Sequence, residues 1–458
     1  MGPQRMVTIN PNWTAPDEGH DFQDDTILAA AAWFKSFVDA KRMQQRLEAA
    51  RIHLLAARDA WIAGEVSEEF DASDTAAWWI FQAETYALNR LYWVPEWTNL
   101  VAPVMTRFGQ YLDVLQSIGG VEDRAERLMN SERAQPEGGF FELLVALAYR
   151  LHGWTDVRFR PERKGVARTY DIDVARPGTR WAVECKTVAV SQYQTNERQR
   201  AEVLARPVHA AALAAYRSIV VEVVFSKELS VVPDDYLKRH VEVFLGNRSV
   251  SHWKDEYGVG RIRDIDWRLC RRVMAKDDVY YGGSRMIELL VGRYRHEFTH
   301  SMVGKWRQAP SRPLYAQAVY QASVVSWHNE NDESIRRKAR HFRSIVGRAN
   351  GQLPTDRPGV IHIGVEARGG MAVDAGRHLQ NYLEAMDFDP RPSRLRWVYE
   401  NIFAPELTTR QHESWAINET TVPYKIGKHR TAEPMPGHLM LTPTTKKRSG
   451  VHWDGKGS

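Results

Sequence analysis

The segment from Thr169 to Lys186 constrains the fold of this 458-residue chain more than any other. Tyr170, Ile172 and Val174 alternate with polar neighbours, Pro177-Gly178 makes a turn, and Trp181 to Val183 restart an apolar run. That spacing predicts a β-hairpin. Strand side chains alternate between faces, so Asp171 and Asp173 share one face of the first strand, and Glu184 and Lys186 share one face of the second. Two carboxylates and an ammonium can then converge on one patch of sheet. A divalent ion such as magnesium prefers hard oxygen ligands, keeps several waters, and needs only one or two carboxylates and a carbonyl. The ion acidifies its water and offsets transition-state charge, and a neighbouring lysine can orient or help deprotonate that water. These residue types suit hydrolysis of a phosphodiester. The plainer alternative is a solvated carboxylate–lysine pair of little energetic weight.

The flanking sequence narrows the choice. Gly138 to Gly153 reads as a mostly apolar helix with a glycine stop, and Glu142 is its carboxylate. Thr195 to Tyr216 is alanine-rich and helical in pattern, and Ser218 to Phe225 reads as a buried strand. The order helix, strand, strand, helix, strand across residues 137–226, with an Asp before a Glu-x-Lys, resembles the PD-(D/E)xK nucleases, the restriction-endonuclease-like superfamily.

The resemblance implies an α/β fold: a mixed-sheet restriction-endonuclease-like core flanked by helices, here with an N-terminal helical domain. It implies that Asp171 and Glu184 bind Mg²⁺, with Mn²⁺ able to substitute, and that the Cys185 backbone carbonyl is a further ligand. Lys186 would act on the attacking water, and Glu142 would reach the metal through water. Asp171 is preferred because its spacing to Glu184 matches compact members, with Asp173 the alternative. Tyr170 stands where the family usually has proline. The Cys185 thiol reads as a small buried apolar group.

Composition is compatible with this reading. A net charge of +5 suits a polyanion partner, with DNA the expected one. No apolar run reaches the length of a membrane span, no signal pattern opens the sequence, and two cysteines give no disulfide framework, so a cytoplasmic protein is expected. No Gly-rich phosphate cradle or helicase motif is present, so no motor is expected.

Along the chain, residues 1–20 read as a loose arm, and 21–130 as a helical domain that could bind DNA, hold a partner chain or dimerise, with packing or oligomerisation the favoured role. Residues 131–424 read as the nuclease-like α/β domain, with an inserted or extended region at about 233–311, and 425–458 as a basic flexible tail. Residues 283–294 and 296–303 read as strands. His296 and His300 would then lie about 13 Å apart, too far to share a metal. Asp332 to Ala349 reads as one arginine-rich helix, either a phosphate-contacting surface or a solvated face with internal ion pairs. Strands are expected at 360–366, 394–403 and 414–424, extending the nuclease sheet. The expected function is a metal-dependent nuclease in prokaryotic defence or DNA processing. The rival is a non-cleaving or partner-gated nucleic-acid-binding subunit of a larger complex built on the same fold.

Overall fold

The computed structural model describes residues 5–8, 24–63, most of 65–130, 136–161, 169–188, 192–339, 342–367, 370–407, 415–435, 438–440, 447–449 and 451–454. The chain begins with β1 (Arg5–Thr8) and six helices: α1 (Asp25–Lys35), α2 (Ala40–Ala63), α3 (Thr75–Leu88), α4 (Pro95–Gln110), α5 (Leu112–Gln116) and α6 (Val121–Asn130). There follow α7 (Pro136–Leu151), β2 (Asp156–Phe159), β3 (Ile172–Arg176), β4 (Thr179–Val188) and α8 (Gln192–Ala214). Next come β5 (Ile219–Phe225), α9 (Tyr236–Gly246), β6 (His252–Lys254), β7 (Gly258–Asp264), α10 (Trp267–Met274), β8 (Val279–Tyr280) and α11 (Ser284–Val291). Then β9 (Thr299–Ala309), β10 (Arg312–Asn329), α12 (Asp332–Ala339), α13 (Phe342–Asn350), β11 (Gly359–Glu366) and α14 (Met371–Met386) lead to β12 (Leu395–Leu407), β13 (Trp415–Lys425) and β14 (Lys447–Ser449).

These strands form two open mixed sheets, so the fold is α/β. The first has the order β14-β1-β13-β12-β11-β4-β3-β2. In it β2, β3 and β4 run antiparallel, and β11 joins β4 and β12 in parallel. Strand β11 is mostly apolar and buried from Gly359 to Val365, His362 included, and both of its faces are covered. On one face Phe34 of α1, Trp79 of α3, Phe108 of α4 and Leu144 of α7 pack with Val183 and Val360 in a single core. The Trp79 and Phe140 rings stack at 4.5 Å. On the other face Phe342 and Ile345 of α13 and Ala385 of α14 cover Ile361, Ile363 and Val398. Helix α1 starts where it does because the Asp24 side chain accepts the Thr26 and Ile27 N–H groups.

The second sheet has the order β6-β7-β5-β10-β8, with β9 also on β10. Its central pair, β5 and β10, is parallel. Helices α8 and α9 cover one face through Leu204, Val208, Leu237 and Phe244, and α10 and α11 cover the other through Cys270, Met286 and Leu290.

Several expectations are corrected. Ser218–Phe225 was read as the strand completing the first core; it pairs with β7 and β10 in the second sheet, and β11 lies against β4. Both strands are mostly apolar buried runs, broken by Glu222 in β5 and His362 in β11, and only long-range pairing separates them. The region set off at 233–311 is thus part of a second sheet built on β5 and β10, which lie outside those bounds. Residues 284–291 form α11 where a strand was expected: Met286, Leu289 and Leu290 meet the core at helical spacing. His296 lies in a turn, and only His300 is on β9. Of the helix expected at 332–349, α12 and α13 are described, and residues 340–341 between them lie outside the described residues. The arm read at 1–20 contains β1, and its other residues lie outside the described ones. The tail read as flexible from 425 buries Met435, Leu439 and Met440 in the core.

Candidate active site

Strand β4 delivers Glu184 and Lys186 to one face and turns Cys185 to the other, into the core beneath α7. Asp171 stands just before β3. Its Oδ2 accepts the Cys185 N–H at 2.8 Å, which fixes the carboxylate over β4. A strand residue directs its N–H and C=O to the same neighbour, so the Cys185 carbonyl is also on the Asp171 side. The Lys186 ammonium donates to Glu184 Oε1.

Glu184 is fully buried (0% exposed), and its Oε2 has no hydrogen-bond partner. Burial, and then the neighbouring Asp171, push its carboxyl up to about 8, against the pull of Lys186. Asp171 is also raised, by burial, while Lys186, the Cys185 N–H and Arg124 pull it down. Two abutting carboxyls therefore share a poorly solvated space in which one oxygen is unsatisfied. A cation there would relieve both strains.

Glu142 projects from α7, which packs on β4. Its carboxylate is held by Arg124 of α6, whose Nη2 is also 3.8 Å from Asp171 Oδ1. Arg124 thus links Glu142 to the Asp171–Glu184 pair. Sequence reasoning missed it, because on α6 it is one of several exposed-face charges and only the packing of α6 on α7 distinguishes it.

Asp173, on β3, does not join the pair. It sits opposite Ala182, and Tyr170 Oη, Arg180 and Arg357 contact its Oδ1 at 3.0, 3.2 and 3.2 Å, with Arg160 at 3.5 Å from Oδ2. With so many partners it binds its own sheet edge together. The arginine-rich stretch at 332–349 is likewise occupied: Arg336 and Arg337 pair with Glu333, Arg337 also with Glu228, Lys338 with buried Glu197, and Arg343 with Asp387. The Arg340 side chain lies outside the described residues.

Among the described residues no group of three or more His, Cys, Asp and Glu side chains is placed to hold a metal. The donor set here is two carboxylates and a carbonyl, which suits a magnesium ion that keeps most of its waters. No helix among the described residues is long and apolar enough to cross a membrane.

Compared with protein-family models, curated proteins and solved structures, the chain matches none.

Proposed function

We propose that this chain is a metal-dependent nuclease that hydrolyses DNA phosphodiester bonds, built on a PD-(D/E)xK core, and acting in the cytoplasm in prokaryotic defence or DNA processing. The observation that carries the proposal is the abutment of Asp171 and Glu184, with Glu184 Oε2 buried and unpartnered and Lys186 beside it. The order α7, antiparallel β2-β3-β4, then a strand parallel to β4 supports the restriction-endonuclease-like reading.

Asp171, Glu184 and the Cys185 carbonyl would hold Mg²⁺ or Mn²⁺. Such an ion, when bound, acidifies a water and offsets charge on the phosphate. Lys186 Nζ, beside Glu184 Oε1, would orient an attacking water or offset charge on a phosphate oxygen. Asp171 is kept aligned by the Cys185 N–H. Glu142 acts from the outer shell and, with Arg124, orients the Asp171 side of the site.

The deciding experiment incubates supercoiled plasmid with the wild type, Lys186→Ala and Glu184→Ala, in Mg²⁺, Mn²⁺ or EDTA. Metal-dependent cutting by the wild type is expected to fall by about 10²–10⁴ in both variants. Equal cutting by wild type and variants removes the assignment.

One observation favours a second reading, a partner-gated subunit. The Arg124 guanidinium already neutralises part of the carboxylate cluster, in the place of a cation. A wild type that cuts nothing, with Arg124→Ala cutting in Mg²⁺, would select it.

A further inference from the structure

The second sheet carries a polar row that the catalytic reading does not use. Cross-strand pairing places His252 of β6 beside Arg261 of β7, Arg261 beside Glu222 of β5, Glu222 beside Ser326 of β10, and Ser326 beside His300 of β9. Arg263 lies two residues along β7 from Arg261 and so on the same face. After α11, Gly292 takes a left-handed φ of 81° and reverses the chain. The segment beyond it brings Arg293 and Arg295 onto the same carboxylate.

Four guanidiniums thus surround Glu222. Arg261 Nε is 2.7 Å from Oε2, Arg263 Nε 3.9 Å from Oε2, and the Arg293 and Arg295 Nη2 atoms 3.3 and 3.2 Å from Oε1. Glu222 is 7% exposed, while Arg261 and Arg293 are 41% and 52% exposed. Asp266, the other carboxylate that acts on Arg263, is held by Arg268 at 2.6 Å.

One carboxylate offers about four acceptor sites, whereas each guanidinium has five N–H donors and cannot shed its charge. Four like charges gathered on one anion exceed its acceptors; Arg263 Nη2 turns to the Val291 carbonyl, and the partly exposed Arg261 and Arg293 keep donors that Glu222 does not take up. Beside them, His300 bonds Ser326 through Nδ1 at 2.8 Å, and its buried Nε2 has no hydrogen-bond partner. Tyr294, between Arg293 and Arg295, packs its ring on His300 at 5.3 Å.

We infer that the Arg261–Arg263–Arg293–Arg295 cluster over Glu222 is a second anion site, which takes the phosphate backbone of a nucleic acid. Guanidinium forks match phosphate oxygens in pairs, and partly exposed forks from β7 and from the segment after α11 suit a repeating array of phosphates better than a single small anion. The arginine-bearing segment also reaches the first sheet: a Cβ on Gly370 would be 3.9 Å from Glu297 Cβ. Gly370 caps α14 just beyond β11, whose Ile363 pairs with Lys186. The chain from Ile363 to Gly370 spans at most roughly 25 Å when fully extended. That the duplex held here is also the one cut beside Lys186 rests on the nuclease reading; the anion site does not.

The test measures binding of a fluorescein-labelled 30-base-pair duplex in EDTA across a salt series, with anionic phosphatidylserine vesicles in parallel. Arg293→Gln, on an exposed segment, is expected to weaken duplex binding about three- to tenfold at 0.1 M salt. Arg261→Gln with Arg293→Gln should weaken it further. The slope of log affinity against log salt should become shallower by about one for each lost phosphate contact. Glu222→Gln, which removes the competing carboxylate, should tighten binding, whereas a purely structural network would only lose stability. Unchanged affinity and slope in both arginine variants overturn the inference. So does a wild type that binds vesicles but not duplex, or binds neither. Plasmid cutting that survives Lys186→Ala would remove the nuclease reading while leaving this result intact.

Discussion

Glu184 stands in an environment that disfavours its own charge, and this has a measurable sign. Its folded carboxyl titrates near 8, well above the ordinary carboxylate range, because it is buried beside Asp171. The folded chain therefore keeps a proton that the unfolded chain releases between about pH 4.5 and 8. In metal-free buffer this contribution to stability is fully present below about 4.5 and is lost as the pH rises to about 8. A divalent ion bound as proposed would displace that proton, so its apparent affinity should rise about tenfold per pH unit up to about 8 and then level off. The Mg²⁺-induced shift in melting temperature, measured from pH 6 to 9, checks this. Glu184→Gln should flatten the profile, and an unchanged profile in that variant would remove Glu184 as the titrating group. The two aspartates divide the work differently. Asp173→Ala breaks a buried cluster and should cost about 1–3 kcal/mol in urea denaturation, with cutting per folded molecule retained. Asp171→Ala should do the reverse, keeping most stability and losing cutting. If both variants lost only stability, the site would be structural.

The elements that place these residues differ in how readily they could be read. The β3–β4 hairpin was legible because its alternation is local and Pro177-Gly178 marks its turn. The apolar stretch of α7 and strands β11, β12 and β13 were legible for the same reason. Sheet membership was not. β5 and β11 are both short, buried and mostly apolar, each with one buried polar residue, Glu222 and His362, and the choice of partner for β4 depends on contacts far along the chain. Helix α11 was mistaken for a strand because eight residues with a mixed apolar pattern fit either period. Arg124 could not be found without the packing of α6 on α7. That packing has its own requirement on the sheet. Gly364 of β11 lies against Phe141 of α7, where an added Cβ would be 2.8 Å from the ring. Gly364→Ala should force α7 outward and cost about 1–3 kcal/mol. Because Glu142 follows Phe141, the same substitution should lower cutting more than Asp173→Ala does at equal folded fraction. Thermal melts paired with plasmid cutting check both, and a variant with wild-type stability would show that α7 does not press on β11.

Over the whole molecule, α2 and α3 meet β8 and β10 in a shared core between the two sheets, and the core of the first sheet is completed by residues far along the sequence. The segment after β13 carries proline, glycine and basic residues with little apolar periodicity, which is why it reads as flexible. Its few apolar groups nevertheless do long-range work. Met435, Leu439 and Met440 enter the core that α1, α4 and α7 build on the first sheet. Trp154 donates its indole N–H to the Pro434 carbonyl at 3.0 Å. Glu419, buried on β13, accepts the backbone N–H groups of Leu439 and Met440 at 2.7 and 2.8 Å. Burial pushes the Glu419 carboxyl up to about 7, so the segment is anchored by an acceptor that has few other ways to be satisfied. Truncation after Gly427 would uncover three buried side chains, worth about 5–8 kcal/mol together by area, and leave Glu419 and the Trp154 N–H without these partners. A domain is typically stable by about 5–15 kcal/mol, so the truncated chain should lose its cooperative melt or bind a hydrophobic dye at room temperature. Glu419→Ala, which removes the anchor but not the apolar groups, should lie between truncation and wild type. A truncated chain that melts like the full one would show that this segment covers the core without holding it together.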